Sequence, residues 1–413
     1  QAEDGIRDRS PSRGLGDVYK RQAEHKAAIL PRDVQGLKYF QQLGPLLDRL
    51  HEVGTARDKA GNRALFFDQY TALLLLYFFS PVIDSLRGLR QATTLEKVQK
   101  QLGIGPTSLG SLSEAARVFD PQPLRKIVAE LAGRAVPLTT GREADALAGL
   151  TAVDGTILRA LPRMAWALWE DDDHRGVKIH LHLEVLKGVP VDATLTPAAC
   201  SEPEQLQLTL QPGRLYVFDR GYASFALYRA VLDAHSSFIG RVKDNTAFTV
   251  HKERVVSPEA AAGGVVRDVE IAKLGSAHHK DFLRRHVRLV IVRRTKPNGN
   301  TEEIWLITDR LALPAEWVAL GYKYRWTVEL FFRWFKCVLG CRHLLSDDAQ
   351  GIEIQLYVAL IASLLIVLWT GRKPTKRTWE MIQFYLIGWA SLEELERHLK
   401  SLKVSDEPTA STN

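Results

Sequence analysis

The first third of the chain repeats apolar residues with the period of a helix. Three segments between about Ala23 and Arg142 carry apolar stripes, namely GPLLDRLHEV, FFDQYTALLLLYFFSPVIDSLRGL and PLRKIVAELAGRA. Apolar residues at i, i+3, i+4 and i+7 place one face of a helix against a core. The pattern therefore predicts an all-helical N-terminal region.

Within this region, TTLEKVQKQLGIGPTSLGSLSEAARVF has the layout of a helix-turn-helix. Its first helix ends at the turn Gly103–Gly105, and its second begins near Pro106 or Thr107. A unit of this kind can place its second helix in a DNA groove. The second helix is not strongly basic, so a plain helical hairpin is the competing interpretation.

The middle of the chain changes to the period of a strand. LAGLTAVDGTILRA predicts a strand that carries Asp154, and the residues 177–185 alternate apolar and polar side chains as a half-buried strand does. Lys187-Gly188 then turns into a third strand, VPVDATLT. A short apolar strand ends at Asp219 in RLYVFDRGYAS, and a helix and the strand SSFIGRVK follow it. The predicted order is three antiparallel strands, a strand–helix–strand unit and, later, a long helix.

Four strand-like segments between Thr246 and Arg310 predict a β-rich insertion. One of them is basic and contains no acid; it carries Arg284, Arg285, Arg288, Arg293, Arg294 and Lys296. Such a row is typical of a surface that contacts phosphates. A solvated edge strand protected by charges has the same pattern, and the sequence favours neither interpretation.

The segment GYKYRWTVELFFRWFKCVLG, from Gly321 to Gly340, predicts one helix that is apolar over most of its circumference. Spacings of three, four and seven residues place four polar side chains on one stripe of that helix: Tyr322, Arg325, Glu329 and Lys336. A ladder in which Glu329 pairs with Arg325 and Arg333 would contribute only about 0.2–0.5 kcal/mol per pair. The helix alone does not distinguish this ladder from a functional site.

Three acids lie on elements that the pattern places in the core, namely Asp154, Asp219 and Glu329. Because a carboxylate is unfavourable to bury alone, three of them on three core elements predict convergence on a cation. Carboxylate oxygens favour Mg²⁺ or Mn²⁺. Two such ions would support an in-line displacement at phosphorus.

Other groups of candidate metal ligands are weaker. The run Asp171–Asp173 is typical of a solvated loop. His180 and His182 share one strand face, but they lack a third ligand at a useful spacing. We therefore expect no metal at either place.

Composition adds weaker constraints. The 413 residues suffice for two or three domains, and 55 Lys and Arg against 48 Asp and Glu give a net charge of +7, which favours a polyanionic partner. Three cysteines are too few for a disulfide framework and fit a reducing cytoplasm. The longest apolar run, Leu356 to Trp369, is shorter than the roughly 20 residues that span a bilayer. It predicts a buried helix and no membrane partner.

The spacing Tyr322-x2-Arg325-x3-Glu329-x6-Lys336 resembles the Tyr-Arg-Glu-Lys signature of the DDE transposases of bacterial insertion sequences, in the insertion-sequence-four (IS-four) family. AVDGT around Asp154, VFDRGYAS around Asp219, the downstream GRVKDN and a β insertion before the third acid fit the same family. The resemblance covers roughly the residues 149–368. It makes a chance ladder on the helix the weaker interpretation.

The resemblance implies a mixed α/β fold with an RNase H-like catalytic core. In that core the catalytic, metal-binding triad for two Mg²⁺ or Mn²⁺ ions would be Asp154, Asp219 and Glu329, and the side chains that bind DNA phosphates would be Tyr322, Arg325 and Lys336. The implied activity is cleavage at the transposon end, followed by attack of the freed 3′-hydroxyl on target DNA. The implied partners are the terminal inverted repeats, target DNA and a second copy of the chain in a synaptic homodimer, with no small-molecule cofactor.

The expected organisation runs from a leader to a tail. It comprises a non-native or disordered leader at 1–22, a helical and candidate DNA-binding domain at 23–145, the first part of the core at 146–245, the insertion at 246–312, the second part of the core with C-terminal helices at 313–400, and a tail at 401–413. Two alternatives to a transposase are an RNase H-like nuclease or resolvase without strand transfer, and an inactive DNA-binding relic. An inactive relic would be expected to have lost one of the three acids or Lys336, and all four residues are present.

Overall fold

The computed structural model describes residues 38–54, 63–159, 164–167, 176–276, 286–295, 299–341 and 343–404. The expected leader and the run Asp171–Asp173 lie outside the described residues. The domain boundaries expected from the sequence stay predictions.

The N-terminal helices form where the apolar stripes predict them. They are α1 (Lys38–Leu47), α2 (Phe67–Phe79), α3 (Leu86–Ala92), α4 (Glu96–Leu102), α5 (Leu109–Val118), α6 (Gln122–Arg134) and α7 (Arg142–Ala146). Gly103 ends α4 at a φ of 63°, which glycine adopts without strain. The Ser108 side chain caps α5 by accepting a hydrogen bond from the backbone N–H of Ser111. The two helices and the glycine turn between them are therefore present, although α5 begins at Leu109 and not near Pro106 or Thr107.

The strands form one mixed sheet. They are β1 (Leu150–Arg159), β2 (Gly176–Glu184), β3 (Val189–Pro197), β4 (Leu215–Phe218), β5 (Ser237–Val242), β6 (Phe248–Glu253), β7 (Val265–Leu274), β8 (Val287–Thr295) and β9 (Thr301–Thr308). Their order in the sheet is β3-β2-β1-β4-β5-β9-β8-β7-β6. The strands β1 to β3 run antiparallel, while β4 is parallel to β1 and β5 is parallel to β4. The predicted strand order and the mixed α/β class are confirmed.

The remaining helices pack on this sheet and on the N-terminal helices. They are α8 (Glu202–Thr209), α9 (Phe225–Asp233), α10 (Pro258–Ala262), α11 (Ala315–Tyr324), α12 (Trp326–Cys337), α13 (Ala349–Thr370), α14 (Lys376–Leu386) and α15 (Leu392–Val404). By length and composition α13 could cross a membrane, but 89% of its most apolar 18-residue stretch is buried inside the protein. It contacts α2, α5, α6 and β3. The predicted buried helix is confirmed. The helix is 22 residues long, so its burial, and not a short length, distinguishes it from a membrane span.

The strand β2 is not half-buried as the alternation predicts. Its polar residues His180, His182 and Glu184 are buried as well as its apolar ones. His182 Nε2 lies 3.2 Å from Thr209 Oγ1 on α8, and Arg214 Nη1 donates to Glu184 Oε2 at 2.7 Å. Partners contributed by later segments cover the polar face, and alternation within one strand cannot show them.

The strands of the predicted insertion continue the main sheet. β9 pairs with β5, and β8, β7 and β6 follow in antiparallel order. The basic strand β8 therefore lies between β9 and β7, so the interpretation as an edge strand is wrong. β6 is the strand at that edge.

The single helix predicted from Gly321 to Gly340 is divided in two. α11 ends at Tyr324 and α12 begins at Trp326. The Arg325 N–H donates to the Tyr322 carbonyl, three residues back, instead of four. The stripe predicted for one straight helix is thus contributed by two helices and their junction.

Candidate active site

Asp154 lies in β1, an inner strand of the sheet that pairs with β2 and β4. The register with the parallel strand β4 pairs Leu150 with Leu215 and Ala152 with Val217. Continued by two residues, it brings Asp154 level with Asp219, and neighbouring strands lie about 4.8 Å apart. The two acids therefore lie at the same level of adjacent strands, and their joint role in one site stays a prediction.

The surroundings of Asp154 disfavour its charge. Burial raises the pKa of Asp154 to about 7, and the nearby Glu202 and Glu329 carboxylates raise it further. The Gly155 N–H, which donates to Asp154 Oδ1 at 2.9 Å, and the Arg325 charge oppose the rise. A carboxyl group in this environment gains from a cation that compensates its charge.

Asp219 follows the last residue of β4 and caps a short 3₁₀ turn at Arg220–Tyr222. Its Oδ1 accepts a hydrogen bond from the Gly221 N–H at 2.6 Å. This bond orients the carboxylate and leaves acceptor positions on both oxygens. The end of β4 and the following turn together place Asp219 beside the middle of β1, where Asp154 lies.

Glu329 lies in the first turn of α12, the helix that packs on β1. Arg325 Nη2 donates to Glu329 Oε1 at 2.6 Å, and Arg325 Nη1 lies 3.8 Å from Asp154 Oδ2. One guanidinium thus joins the first and third acids. The ion pair expected between Glu329 and Arg333 is absent among the described residues, where Arg333 is exposed. The predicted ladder is therefore wrong on that side.

Tyr322 comes from α11 and has a partner that the sequence analysis did not select. Burial raises the pKa of the Tyr322 phenol, and Arg241 on β5 forms a hydrogen bond with it. The charge of Asp219 also acts on this phenol. The available signal was an arginine within the otherwise apolar strand SFIGRV. Tyr322, Arg241 and Asp219 are thus neighbours at one end of the site.

Lys336 lies near the end of α12 and contacts β1 directly. Its Nζ donates to the Ile157 carbonyl at 2.8 Å, three residues beyond Asp154. Burial lowers the pKa of Lys336. An ammonium group has three N–H donors, so this bond fixes the cation beside the strand and leaves two donors for another acceptor.

The donor set suits a hard divalent cation, but the acids are not closed around one. Among the residues that the structure describes, no three Asp, Glu, His or Cys side chains lie at the spacing of a metal site. Arg325 has its guanidinium between Asp154 and Glu329 instead. Carboxylate oxygens are the ligands that Mg²⁺ and Mn²⁺ prefer. In this structure the Arg325 guanidinium supplies the positive charge between Asp154 and Glu329.

The histidines and the basic strand provide no comparable site. His180 bonds Thr196 and His182 bonds Thr209, as core side chains do. Arg288 is buried and forms two hydrogen bonds with Asp268, so for this residue the interpretation as part of a phosphate-contacting face is wrong. The other two described arginines of that strand, Arg293 and Arg294, pair with Glu303 and Glu302. The residues Arg284, Arg285 and Lys296 lie outside the described part of the chain.

The candidate DNA-binding helix α5 carries little positive charge. The basic residue in its last turn is Arg117, whose Nη2 lies 3.4 Å from Asp347 Oδ1. The layout of a helix-turn-helix is present, but the chemistry of a DNA-reading helix is weak. Both interpretations of this unit stay open.

These elements define a mixed α/β protein in which a central sheet and the helix packed on it present three acids and the cations beside them. The Transposase DDE domain family profile matches residues 146–365, more than half of the 413-residue chain, and the chain belongs to that family. The matched range begins just before β1 and contains all three acids. The family is that of the DDE transposases of insertion sequences.

Two curated relatives carry transposase names. The chain is 29% identical over 228 residues to a protein of Sinorhizobium fredii that is named as a transposase, which is 55% of this chain and 62% of that protein. It is 28% identical over 217 residues to a protein of Geobacillus stearothermophilus named as the transposase of an insertion sequence element, which is 52% of this chain and 55% of the relative. The match therefore spans less than two thirds of either relative.

Among solved structures, the chain is similar to a cryo-EM structure of the piggyBac transposase synaptic complex with hairpin DNA. The identity is 11%, the TM-score is 0.46, and the alignment covers 93% of this chain and 87% of that one. A TM-score of this size supports no argument about either fold or function.

Proposed function

We propose that the chain is a DNA transposase with an RNase H-like core, in which Asp154, Asp219 and Glu329 form the catalytic triad. The observation that carries the proposal is the position of the three acids on two adjacent strand segments and on the helix packed against them. The register of β1 and β4 brings the first two level, and Arg325 joins the first to the third. Membership of the family supplies the reaction class.

Carboxylate oxygens would hold two Mg²⁺ or Mn²⁺ ions in this site. When bound, the ions would supply positive charge at the scissile phosphate. Asp154 would be one of the residues that hold them, because its strand contacts both the strand that precedes Asp219 and the helix of Glu329. The Arg325 guanidinium, which lies beside Asp154 and Glu329, would have to move away from these acids when the ions bind, and it could then bind a phosphate.

Three side chains around the triad would hold the DNA backbone. Arg325 offers a planar fork that matches two phosphate oxygens, and Lys336 offers a point charge that β1 already holds in place. Tyr322 presents a hydroxyl group that Arg241 orients. The net charge of +7 agrees with a polyanionic substrate.

The proposed reaction consists of two displacements at phosphorus. Water attacks the phosphate at the transposon end, the bond to the 3′-oxygen breaks, and that oxygen leaves as a 3′-hydroxyl. The 3′-hydroxyl then attacks a phosphate of target DNA, and a target 3′-hydroxyl leaves. Because two ends must be cut and joined, we expect a homodimer on the paired inverted repeats.

A supercoiled donor plasmid that carries the terminal inverted repeats, incubated with the protein, Mg²⁺ and a target plasmid, tests the proposal. Joined products with target duplications are the expected result. Cleavage without joining would favour the nuclease or resolvase, and a mobility shift without cleavage would favour the relic. Asp154→Asn provides the control for a contaminating nuclease, because it should give neither product.

A further inference from the structure

Glu202 is a fourth acid beside the proposed triad, and the sequence analysis did not select it. It is the first residue of α8, a helix that contacts β1, β2 and the turn following Asp219. Lys178 on β2 holds the carboxylate, with 3.4 Å between Nζ and Oε1, and the same Nζ donates to the Cys200 carbonyl at 2.9 Å. The side chain therefore has a fixed position next to two catalytic segments.

The first of these segments is the strand of Asp154. A Cβ atom added to Gly155 would lie 2.6 Å from Glu202 Oε1 and 2.8 Å from its Cδ, closer than real Cβ atoms approach other atoms. The backbone of β1 and the Glu202 carboxylate are thus in direct contact one residue after Asp154. A side chain at position 155 would therefore have to displace the Glu202 carboxylate.

The second segment is the turn of Asp219. Tyr222 closes that turn, is 3% exposed, and hydrogen-bonds to the Glu202 carboxylate. Burial raises the pKa of the Tyr222 phenol well above its ordinary value, and the charges of Glu202 and Asp154 add to the effect. The hydroxyl therefore keeps its proton and donates to Glu202. The contact also gives the tyrosine of the motif DRGY a function.

We propose that Glu202 is a positioning residue, which sets the separation of Asp154 and Asp219 by contacting Gly155 on one side and bonding Tyr222 on the other. The inference rests on the proposed function, because the separation matters only if both acids bind the same cations. Residues that orient metal ligands in this way typically change metal affinity by 10–100-fold when removed.

Mn²⁺ binding to the full chain, measured by isothermal titration calorimetry without DNA, tests the role directly. Glu202→Ala should weaken Mn²⁺ binding by about 10-fold or more. Glu202→Gln keeps an acceptor for Tyr222 and should stay within about threefold of the parent chain. Glu204→Gln changes an exposed acid two residues further along the same helix; it is the matched control and should leave Mn²⁺ affinity unchanged. Parent-like affinity in Glu202→Ala, or equal losses in the alanine and glutamine variants, would overturn the positioning role.

A double-mutant cycle with Gly155 gives a second readout. Gly155→Ala should weaken Mn²⁺ binding, because the new Cβ must displace the Glu202 carboxylate. In the Glu202→Ala background that carboxylate is gone, so Gly155→Ala should add no further loss. Independent, additive losses would contradict the proposed contact. Thermal unfolding of each variant by circular dichroism shows whether it is folded at the temperature of the titration.

Asp154→Asn in the same titration separates the two proposals. If Asp154→Asn binds Mn²⁺ as the parent chain does, the proposed triad is wrong and the role of Glu202 is wrong with it. If Asp154→Asn loses binding while Glu202→Ala retains it, the triad stands and only the positioning role is overturned.

Discussion

Arg325 donates from Nη2 to Glu329 Oε1 across 2.6 Å, in an ion pair that joins the start of α12 to the junction before it. The other terminal nitrogen of the same guanidinium lies 3.8 Å from Asp154 Oδ2. A fixed positive charge between two acids stabilises both of them, and it also competes with any divalent ion for the same oxygens. The proposed metal ions would therefore have to compete with Arg325 in the free protein, although the proposed reaction uses Arg325 on phosphate.

Replacing Arg325 should consequently separate metal affinity from activity. We expect Arg325→Gln to bind Mn²⁺ more tightly, by roughly 10-fold, because one unit of competing charge near the acids is worth about a pKa unit or more. Cleavage of a transposon-end substrate should fall by about 100-fold, because the phosphate loses its guanidinium partner. Calorimetry and a gel cleavage assay measure the two effects. A loss of both metal affinity and cleavage would contradict the competition.

The triad itself is tested by neutral variants of similar size. Asp154→Asn, Asp219→Asn and Glu329→Gln should each lower cleavage by about a thousandfold or more, because residues that act as a unit do not compensate for one another. Binding to the transposon end should change by less than about threefold in a mobility-shift assay. Glu303→Gln, on the exposed end of β9, is the control. Parent-like cleavage in any of the three variants would remove that acid from the triad.

Lys336 should contribute one phosphate contact. Lys336→Met removes one positive charge from the site, so the slope of log K against log salt for end binding should become shallower by about 0.9. Arg333→Met, on the exposed face of the same helix, is the matched control and should leave the slope unchanged. Fluorescence anisotropy at several salt concentrations measures both. Equal changes in the two variants would show that only the overall charge of the helix matters.

Local pattern was sufficient for much of this molecule and insufficient for the rest. The strand that carries Asp154 and the short strand that ends just before Asp219 could be predicted from local sequence, because each signal lies within ten residues. The burial of His182 and the contact between Glu202 and Gly155 depend on a helix that packs back across the sheet, which no local pattern encodes. Arg325 belongs to neither helix, because its N–H donates to the carbonyl three residues back instead of four.

The basic strand illustrates the same limit and leads to a stability prediction. The guanidinium of Arg288 donates to both oxygens of Asp268, at 2.7 and 2.6 Å, and each side chain is about 3% exposed. Removing one partner leaves an uncompensated buried charge, so Asp268→Ala should lower the free energy of unfolding by about 3–5 kcal/mol. Glu303→Ala removes the exposed ion pair between Glu303 on β9 and Arg293, which lies on β8 like Arg288. This variant should lower the free energy of unfolding by less than about 1 kcal/mol. Urea denaturation distinguishes these outcomes, and similar losses in both variants would contradict the argument.

The buried histidines of β2 should make the fold sensitive to acid. Burial lowers the pKa of His182 to about 4, and burial together with the charge of Lys178 lowers the pKa of His180 to about 4. In the unfolded chain a histidine takes up its proton near its ordinary pKa of about 6.5, so between that pH and about 4 the unfolded state binds more protons than the native state. The free energy of unfolding should therefore fall as pH is lowered through this window, by at most about 1.4 kcal/mol per pH unit for each histidine.

His182→Gln cannot titrate and should show a shallower pH dependence of the free energy of unfolding in urea denaturation from pH 7 to 4.5. His343→Gln, at an exposed position, is the control and should follow the parent chain. If the parent chain and His182→Gln lose stability equally with acid, then His182 takes up its proton in the native state and the assignment of its low pKa is wrong.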